Sequence, residues 1–253
     1  MCIRDSPYIV KPNDYNLMIP PNVELVCGDP LLEMQSNAMA SLSGLQVPGV
    51  NTWIAVISWV SDLIESVGDR YAAIFIDANP SFSTYTQMAI AASHELILPV
   101  MADDSSRRAV ENVFSLVYGF QVPSEIYSKY AFPNKLHEGG FNLPNIRAVI
   151  KNRLTQYMGP ASAYANVLSG ISQNVVNLAQ SHPDMFAVES PQDLFVEVRD
   201  FGTTGVVAFA KGCPFDRLPV GKISLLDGQR VQIKEEYRAL CQADITDVAR
   251  LLP

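Results

Sequence analysis

The segment Tyr71-Ala-Ala-Ile-Phe-Ile-Asp77-Ala-Asn-Pro-Ser81 decides how the chain is interpreted. Residues 72–76 are apolar without alternation, which is typical of a strand buried on both faces of a parallel sheet. Asp77 closes this run, and parallel sheets bind ligands at the carboxyl ends of their strands. A carboxylate at that place can position a hydrated Mg²⁺ beside nucleotide phosphates. These residues are equally consistent with a second interpretation, in which Asp77 only caps the turn after the strand.

The rest of the chain alternates between apolar runs and helical patterns. Apolar runs predict strands at 96–100, 146–150 and 195–198, and a short strand at 23–27. The intervening segments predict helices at 52–67, 83–93, 105–118, 161–180, 203–211 and 231–252. This alternation predicts an α/β fold, in which a mostly parallel sheet is flanked by helices. The Pro- and Gly-rich segment 120–144 is predicted to be an insertion.

Local residues also predict helix ends and a buried helix face. Asp104 or Ser105 is the expected N-cap of the helix that follows the strand at 96–100. Gly212 is the expected C-cap of the helix at 203–211. The last helix is expected to bury one side, formed by Ile233, Tyr237, Leu240, Ile245, Val248 and Leu252.

Composition excludes several classes of protein. Of the 253 residues, 48% are hydrophobic and 17% charged, which excludes an intrinsically disordered chain. No apolar stretch is long enough to cross a bilayer. The four cysteines lie far apart and form no C-x-x-C pair, which favours reduced thiols and a cytoplasmic protein. The three histidines are also dispersed, which argues against a zinc site.

The formal net charge of −8 is unevenly distributed. Residues 1–144 carry 7 basic and 15 acidic side chains, whereas residues 145–253 carry 11 of each. The field of the whole chain therefore does not attract nucleic acid, although the second part can present a local basic face. Its cations are Lys211, Arg217, Lys222, Arg230, Lys234 and Arg238.

Several motifs, in order, resemble the ParA/MinD-type P-loop ATPases. Asp77-Ala-Asn-Pro-Ser81 is similar to the D-x-P-P-S switch segment of that family, and Thr84 follows at the start of the next helix. The run at 96–100 resembles the next strand of the family, which ends in Pro-Val. Similar segments lie at 23–33, at 149–154 with its Asn-Arg pair, and at 198–214. The resemblance covers nearly all of residues 20–252.

The resemblance implies a P-loop NTPase-like fold and the binding of ATP and Mg²⁺. Asp77 would hold the Mg²⁺ through water, and Ser81 would support the switch loop. Asn152, Arg153, Arg199 and Asp200 would line the adenine side. The resemblance further implies a homodimer that closes across the nucleotide, a role in plasmid or chromosome partition, and a ParB-like partner that stimulates hydrolysis.

The sequence departs from the family pattern in two ways. Asn79 replaces the first proline of the switch segment, which makes Mg²⁺ positioning there less secure. No G-x-x-x-x-G-K-[ST] loop occurs in the 253 residues, so the phosphates lack an anion cradle. Residues 1–6, Met-Cys-Ile-Arg-Asp-Ser, resemble a translated sequencing adapter. We therefore expect residues 7–253 to be the C-terminal majority of a ParA-like domain without catalytic residues of its own.

This expectation has a structural corollary. In the family, the phosphate-loop strand lies between the strands that match 72–76 and 96–100. The sheet of this chain is therefore expected to lack that strand and to have a gap at this place.

Contacts with other molecules are predicted at two arginines. Arg107 and Arg108 open the helix after the Pro-Val strand, close to where relatives contact DNA or a partner protein. The alternative is that they are ordinary solvated side chains on a helix surface. The C-terminal helix carries acidic residues and one arginine between 243 and 253, which argues against membrane docking.

Two other functions remain open from the sequence. A non-catalytic scaffold or regulator would keep the fold for protein contacts, and Asn79 favours it. An amidoligase or synthetase of the same superfamily would place substrate-binding residues near 101–108, where this chain has arginines. An intact phosphate loop upstream would favour the ATPase, and a degenerate loop would favour the scaffold.

Overall fold

The computed structural model describes residues 9–78, 81–120, 124–155, 163–224, 228 and 230–252. The adapter-like residues 1–6 lie outside the described residues, and so does the switch-segment substitution at Asn79.

Helices and strands alternate between residues 95 and 211 as the sequence predicts, whereas four α-helices follow one another between residues 30 and 91. The strands are β1 (Ile9–Val10), β2 (Leu25–Val26), β3 (Glu95–Val100), β4 (Asn145–Leu154), β5 (Phe195–Arg199), β6 (Gly221–Ser224) and β7 (Arg230–Ile233). The helices are α1 (Pro30–Gly44), α2 (Thr52–Ile57), α3 (Trp59–Val67), α4 (Thr84–Ala91), α5 (Asp104–Asn112), α6 (Glu125–Tyr130), α7 (Phe132–Glu138), α8 (Ala163–Ser181), α9 (Gly202–Lys211) and α10 (Glu235–Ala249). A π-helical turn, Val113–Val117, continues α5.

The centre of the fold is a three-stranded parallel sheet in the order β3-β4-β5. Helices α5 and α8 pack on this sheet, because α8 presents Leu168, Ile171 and Val175 at helical spacing toward the strands. A second cluster of buried residues joins α2, α4 and α7, with Ile57 and Leu136 fully buried. This arrangement confirms the predicted α/β class with a parallel sheet flanked by helices.

The predicted strand at 72–76 is not formed. The segment has no strand partner among the described residues, and four of its five side chains are exposed, including Ile74 at 45% and Phe75 at 69%. An apolar strand is buried on both faces only when neighbouring strands and covering helices are present. Within the described chain, nothing pairs with the edge of β3 that faces away from β4. Within the described residues the sheet therefore ends at β3, and the expected gap between two strands is not observed because the strand on its far side is not formed.

The secondary structure of the C-terminal part differs from the sequence prediction. Residues 230–233 form the second strand of an antiparallel hairpin with β6, so the last helix begins at Glu235 instead of 231. The helix also turns a different side inward: Leu240 and Ile245 are nearly half exposed, whereas Cys241 and Asp244 are buried. The sequence pattern was misleading because the helix buries an aspartate, which an apolar periodicity cannot indicate.

Other boundaries are close to prediction. The N-cap of α5 is Asp103, one residue before the two candidates, since its carboxylate accepts the N–H of Ser106 at 2.7 Å. Gly212 ends α9 in the left-handed region, as expected, with φ of 55°. The segment 120–144, given from the sequence only as an insertion, contains α6 and α7, which were not predicted, and α7 contributes Phe132 and Leu136 to the core. No helix in the described part of the chain combines the length and apolar character that a bilayer crossing needs.

An ion pair joins the end of β5 to α10. The Arg199 guanidinium donates to both oxygens of Asp244 at 2.8 and 2.9 Å, and the Arg199 backbone N–H donates to Oδ2 at 2.8 Å. Burial opposes ionisation of Asp244, but these hydrogen bonds outweigh it and hold the pKa of the carboxyl below its usual range. The pair therefore fixes the orientation of α10 against the sheet.

We predict that Asp244→Asn lowers the free energy of unfolding by about 2 kcal/mol at pH 7. Breaking a fully buried pair costs roughly 3 to 5 kcal/mol, and the partial exposure of Arg199 reduces this. Because the folded-state pKa of Asp244 lies below its unfolded value, the stabilisation is complete above about pH 4 and is lost as the pH falls further. Urea denaturation of both proteins at pH 7 and at pH 3 measures the difference.

The matched control is Asp247→Asn on the same helix, where an exposed carboxylate pairs with Arg250. Exposed pairs contribute little, so we expect a change below about 0.5 kcal/mol. Equal effects of the two substitutions would contradict the assignment of Arg199–Asp244 as the anchor of α10.

Candidate functional site

The carboxyl ends of β4 and β5 bring three of the predicted adenine-side residues together. Asn152 and Arg153 lie near the end of β4, and Asp200 directly follows β5. The Arg153 guanidinium lies 3.8 Å from Asp200 Oδ2, and the Asp200 N–H donates to the Leu154 carbonyl at 2.9 Å. This is the edge of a parallel sheet where ligands bind in α/β folds.

A local irregularity in β4 shapes this edge. The pairing with β5 shifts between Lys151 and Leu154, and Arg153 has a φ of 59°, in the left-handed region. Asn152 Oδ1 accepts the Arg153 N–H at 2.9 Å, which stabilises the distorted backbone. Of the residues with a positive φ in the described chain, Arg153 alone is not glycine. The bulge leaves the Arg153 side chain 65% exposed at the sheet edge.

Hydrogen bonds fix both the side chain and the backbone of Asp200. Its Oδ1 accepts the N–H of Gly202 at 2.8 Å, and its backbone carbonyl accepts the hydroxyl of Tyr237 at 2.5 Å. Burial is the main cause that raises the pKa of the Tyr237 hydroxyl, so this group remains a donor across the neutral range. The carboxylate therefore has a defined position from which its Oδ2 faces Arg153.

The fourth predicted adenine-side residue, Arg199, is engaged elsewhere. Its guanidinium forms the bidentate pair with Asp244 that holds α10. Neither Asp244 nor Tyr237 was identified from the sequence as part of this region. They lie 45 and 37 residues from their partners Arg199 and Asp200, and no local pattern connects residues at such separations.

The predicted metal residue and switch residue lie beyond α3, before α4. Asp77 is exposed at the end of the unpaired segment 72–76. The Ser81 carbonyl accepts the Thr86 hydroxyl at 2.5 Å, which ties the residue to the first turn of α4. The described residues contain no group of three or more His, Cys, Asp or Glu side chains that can hold a metal. A magnesium ion at Asp77 would therefore need water and phosphate oxygens for most of its coordination shell.

The two arginines predicted to contact DNA or a partner form ion pairs within α5. Arg107 pairs with Asp104 at 2.7 Å and with Glu111 at 2.6 Å, and Arg108 pairs with Asp104 at 2.8 Å. The hydrogen bond from Arg107 is the main cause that lowers the pKa of Asp104. Much of the positive charge of these arginines is thereby compensated. Arg107 also lines a groove of about 640 Å³ between α5 and α8.

The donors and acceptors at the sheet edge suit a nucleobase better than a phosphate. An amide, a guanidinium and a carboxylate provide both donors and acceptors around one place. Two of the helices that follow strands of this sheet begin with a carboxylate at the N-terminus: Asp103 caps α5, and Asp200 accepts the first N–H of α9. A carboxylate at a helix N-terminus occupies the position that a phosphate would take.

Comparisons with known proteins give one structural similarity to report. No protein-family model matches the chain, and no curated protein matches it. A solved structure described as pnob8 ParA aligns with 90% of this chain and 66% of its own chain, with a TM-score of 0.45 and 17% sequence identity. The chain thus spans just under two thirds of the length of that protein.

We predict that the free energy of unfolding of the Arg153→Gly variant is higher than that of the Arg153→Ala variant by about 1 kcal/mol. Both variants lack the guanidinium, but alanine is strained at a φ near 59° and glycine is not. The measurement is urea denaturation of Arg153→Gly and Arg153→Ala.

The same pair of substitutions at the exposed Glu197 of β5 is the control. In an ordinary strand the order reverses, so Glu197→Gly is expected to be less stable than Glu197→Ala by roughly 0.5 to 1 kcal/mol. Alanine more stable than glycine at both positions would show that residue 153 does not hold the left-handed conformation in solution.

Proposed function

We propose that this chain belongs to a ParA-like, nucleotide-dependent partition protein of the cytoplasm and supplies the adenine side of its ATP site. The observation that carries the proposal is the meeting of Asn152, Arg153 and Asp200 at the carboxyl edge of the parallel sheet. These positions follow, in order, a segment at 77–81 that resembles the family's switch. The same sheet edge is where α/β folds bind nucleotides.

The residues fit only one part of the nucleotide. Asn152, Arg153 and Asp200 offer hydrogen bonds to a base, and Arg153 can also stack on it. For the phosphates, the 253 residues contain no glycine-lysine loop, and carboxylates cap α5 and α9. We therefore assign base recognition to this chain and propose no hydrolytic step by its own residues. Asp77 would contribute to Mg²⁺ binding only when triphosphate is held from outside these residues.

The remaining parts of the proposal concern partners. A homodimer that closes across the nucleotide and a ParB-like stimulating partner are implied by the resemblance of the motifs. DNA contact through Arg107 and Arg108 would require these side chains to exchange Asp104 and Glu111 for phosphates. The strength of such contacts would be reduced by the carboxylates that remain beside them.

A non-catalytic scaffold or regulator is the second candidate. The specific observation in its favour is that the N-termini of α5 and α9 carry carboxylates, which repel phosphate. A scaffold of this kind would keep the fold and the protein contacts but bind no nucleotide.

We predict that the chain binds AMP, ADP and ATP with dissociation constants that agree within about threefold, because only an anion cradle would make affinity depend on the phosphates. Arg153→Ala is expected to weaken binding of all three about fivefold, the loss of one stacking or hydrogen-bonding contact of roughly 1 kcal/mol. Isothermal titration calorimetry measures the affinities. Hydrolysis of ATP is expected to stay at background.

Arg250→Ala is the matched control, since Arg250 is also exposed and paired with an aspartate but lies at the C-terminus of α10. It should leave all three affinities unchanged. ATP hydrolysis by the unmodified chain that is lost in the Asp77→Ala variant would contradict the proposal that this chain recognises only the base. Absence of binding for all three nucleotides would favour the scaffold.

A further inference from the structure

Helix α9 is apolar on both its inner and its outer side. Residues 202–211 carry one charged side chain, that of Lys211 at the last position. On the inner side Thr204, Val207 and Ala208 are buried, and the two apolar residues belong to a core cluster. A helix that is apolar all round is usually buried on all sides. The outer side of α9, however, is exposed.

Five exposed residues form the outer side of α9, which we call the α9 outer face: Gly202, Thr203, Val206, Phe209 and Ala210. Val206 is 59% exposed and Phe209 90%. In the described part of the chain, no other large apolar side chain is as exposed as Phe209. Aromatic rings contribute strongly to binding energy when they are buried at an interface. The position of Phe209 therefore favours a contact with another molecule.

The α9 outer face is complementary to itself, because large and small residues are placed symmetrically about Val206. Phe209 and Thr203 lie three residues to either side of Val206, and Ala210 and Gly202 lie four residues to either side. When two copies pack antiparallel with a two-fold axis at Val206, Phe209 of each copy lies opposite Thr203 of the other. A large side chain opposite a small one lets two helices interdigitate, and here the match occurs twice.

The charges at the two ends of α9 favour the same antiparallel arrangement. The acidic side chain of Asp200 lies just before the helix, and the basic side chain of Lys211 is its last residue. Antiparallel packing brings the basic end of each helix to the acidic end of the other, whereas parallel packing brings like charges together. The dipoles of the two helices also attract each other when the helices are antiparallel. Charge complementarity thus agrees with the match of side-chain sizes.

Further apolar side chains lie beside the C-terminal end of α9. The side-chain amide of Asn16 donates to the carbonyls of Lys211 and Gly212 at 3.0 and 2.9 Å. These bonds hold Tyr15 and Leu17 beside the end of the helix, and both are more than 80% exposed. Together with the α9 outer face they offer on the order of 500 Å² of apolar surface, near the upper end for the largest patch of a monomer. A standard interface buries about 800 Å² per partner, so the contact is expected to be weak.

We propose that two copies of this chain associate through the α9 outer face, antiparallel about a two-fold axis at Val206. The contact needs no nucleotide, because it consists of side chains that are exposed without one. It is therefore distinct from a dimer that closes across a nucleotide. The proposal goes beyond the function proposed above and does not rest on it.

The first test is sedimentation equilibrium of the whole chain without nucleotide, from about 5 to 300 μM. We expect a monomer–dimer equilibrium with a dissociation constant on the order of 50 μM, as suits a small interface. Phe209→Glu should weaken the association at least tenfold, because it replaces the most exposed ring of the interface with a charge. The circular dichroism spectrum should not change, since this side chain is in solvent.

The matched control is Met34→Glu, which places the same charge at an apolar residue of α1 that is 77% exposed. It should change the dissociation constant less than twofold. A dimer that is lost in Met34→Glu and kept in Phe209→Glu would overturn the α9 interface. A chain that stays monomeric up to 300 μM, or that forms larger aggregates in spite of Phe209→Glu, would overturn the proposal as well.

The second test examines the register with introduced cysteines. A two-fold axis at Val206 brings the two copies of this residue within the roughly 7 Å between Cα atoms that a disulfide allows, whereas the two copies of Ala210 lie farther apart. Under mild oxidation, Val206→Cys should form at least five times more covalent dimer than Ala210→Cys. Equal amounts of dimer from the two variants would contradict the antiparallel register. None of these measurements involves a nucleotide, so their outcome is independent of the nucleotide titrations.

Discussion

The bidentate ion pair between Arg199 and Asp244 organises the C-terminal half of the molecule. It fixes α10 against the end of β5, and α10 in turn carries Tyr237, whose hydroxyl holds the Asp200 carbonyl. Because Asp200 adjoins Arg199 in the chain, the same pair determines where the Asp200 carboxylate lies at the sheet edge. A partly buried pair of this kind is costly to form, because both groups lose water when the helix packs. The geometry of the candidate base site thus depends on a contact that takes no part in ligand binding.

The sheet edge shows how a distorted backbone can serve recognition. Arg153 adopts a conformation that favours glycine, and the bulge around it breaks the regular pairing of β4 with β5. The result is an exposed guanidinium beside an anchored carboxylate and an amide. At the neighbouring helix starts, Asp103 and Asp200 already fill the positions where phosphate groups bind in related folds. In the function proposed above, these residues would therefore contact the base of the nucleotide and not its phosphates.

The N-terminal part of the described chain has an unusual apolar surface. Besides Ile74 and Phe75, α1 exposes Leu31 and Met34, and Met39 is its one buried residue within the described side chains. The edge of β3 away from β4 has no strand partner among the described residues, which leaves backbone groups there unpaired within that part of the chain. Apolar surface and free strand edges together are the features that further chain segments or partner subunits cover in α/β proteins. The α9 outer face is a separate apolar surface, in the C-terminal half of the chain.

The sequence by itself determined the class of fold, the three parallel strands β3, β4 and β5, and the helices α5 and α8, because these follow from local apolar runs and helical spacing. It also placed Asn152, Arg153 and Asp200 among the candidate site residues. Tertiary structure alone decided that segment 72–76 is unpaired, that Arg199 faces Asp244, and that residues 230–233 form a strand. These outcomes depend on which distant residues are available as partners. A local sequence pattern carries no information about a partner that lies tens of residues away. It also cannot show whether a strand that would pair with a given segment is present.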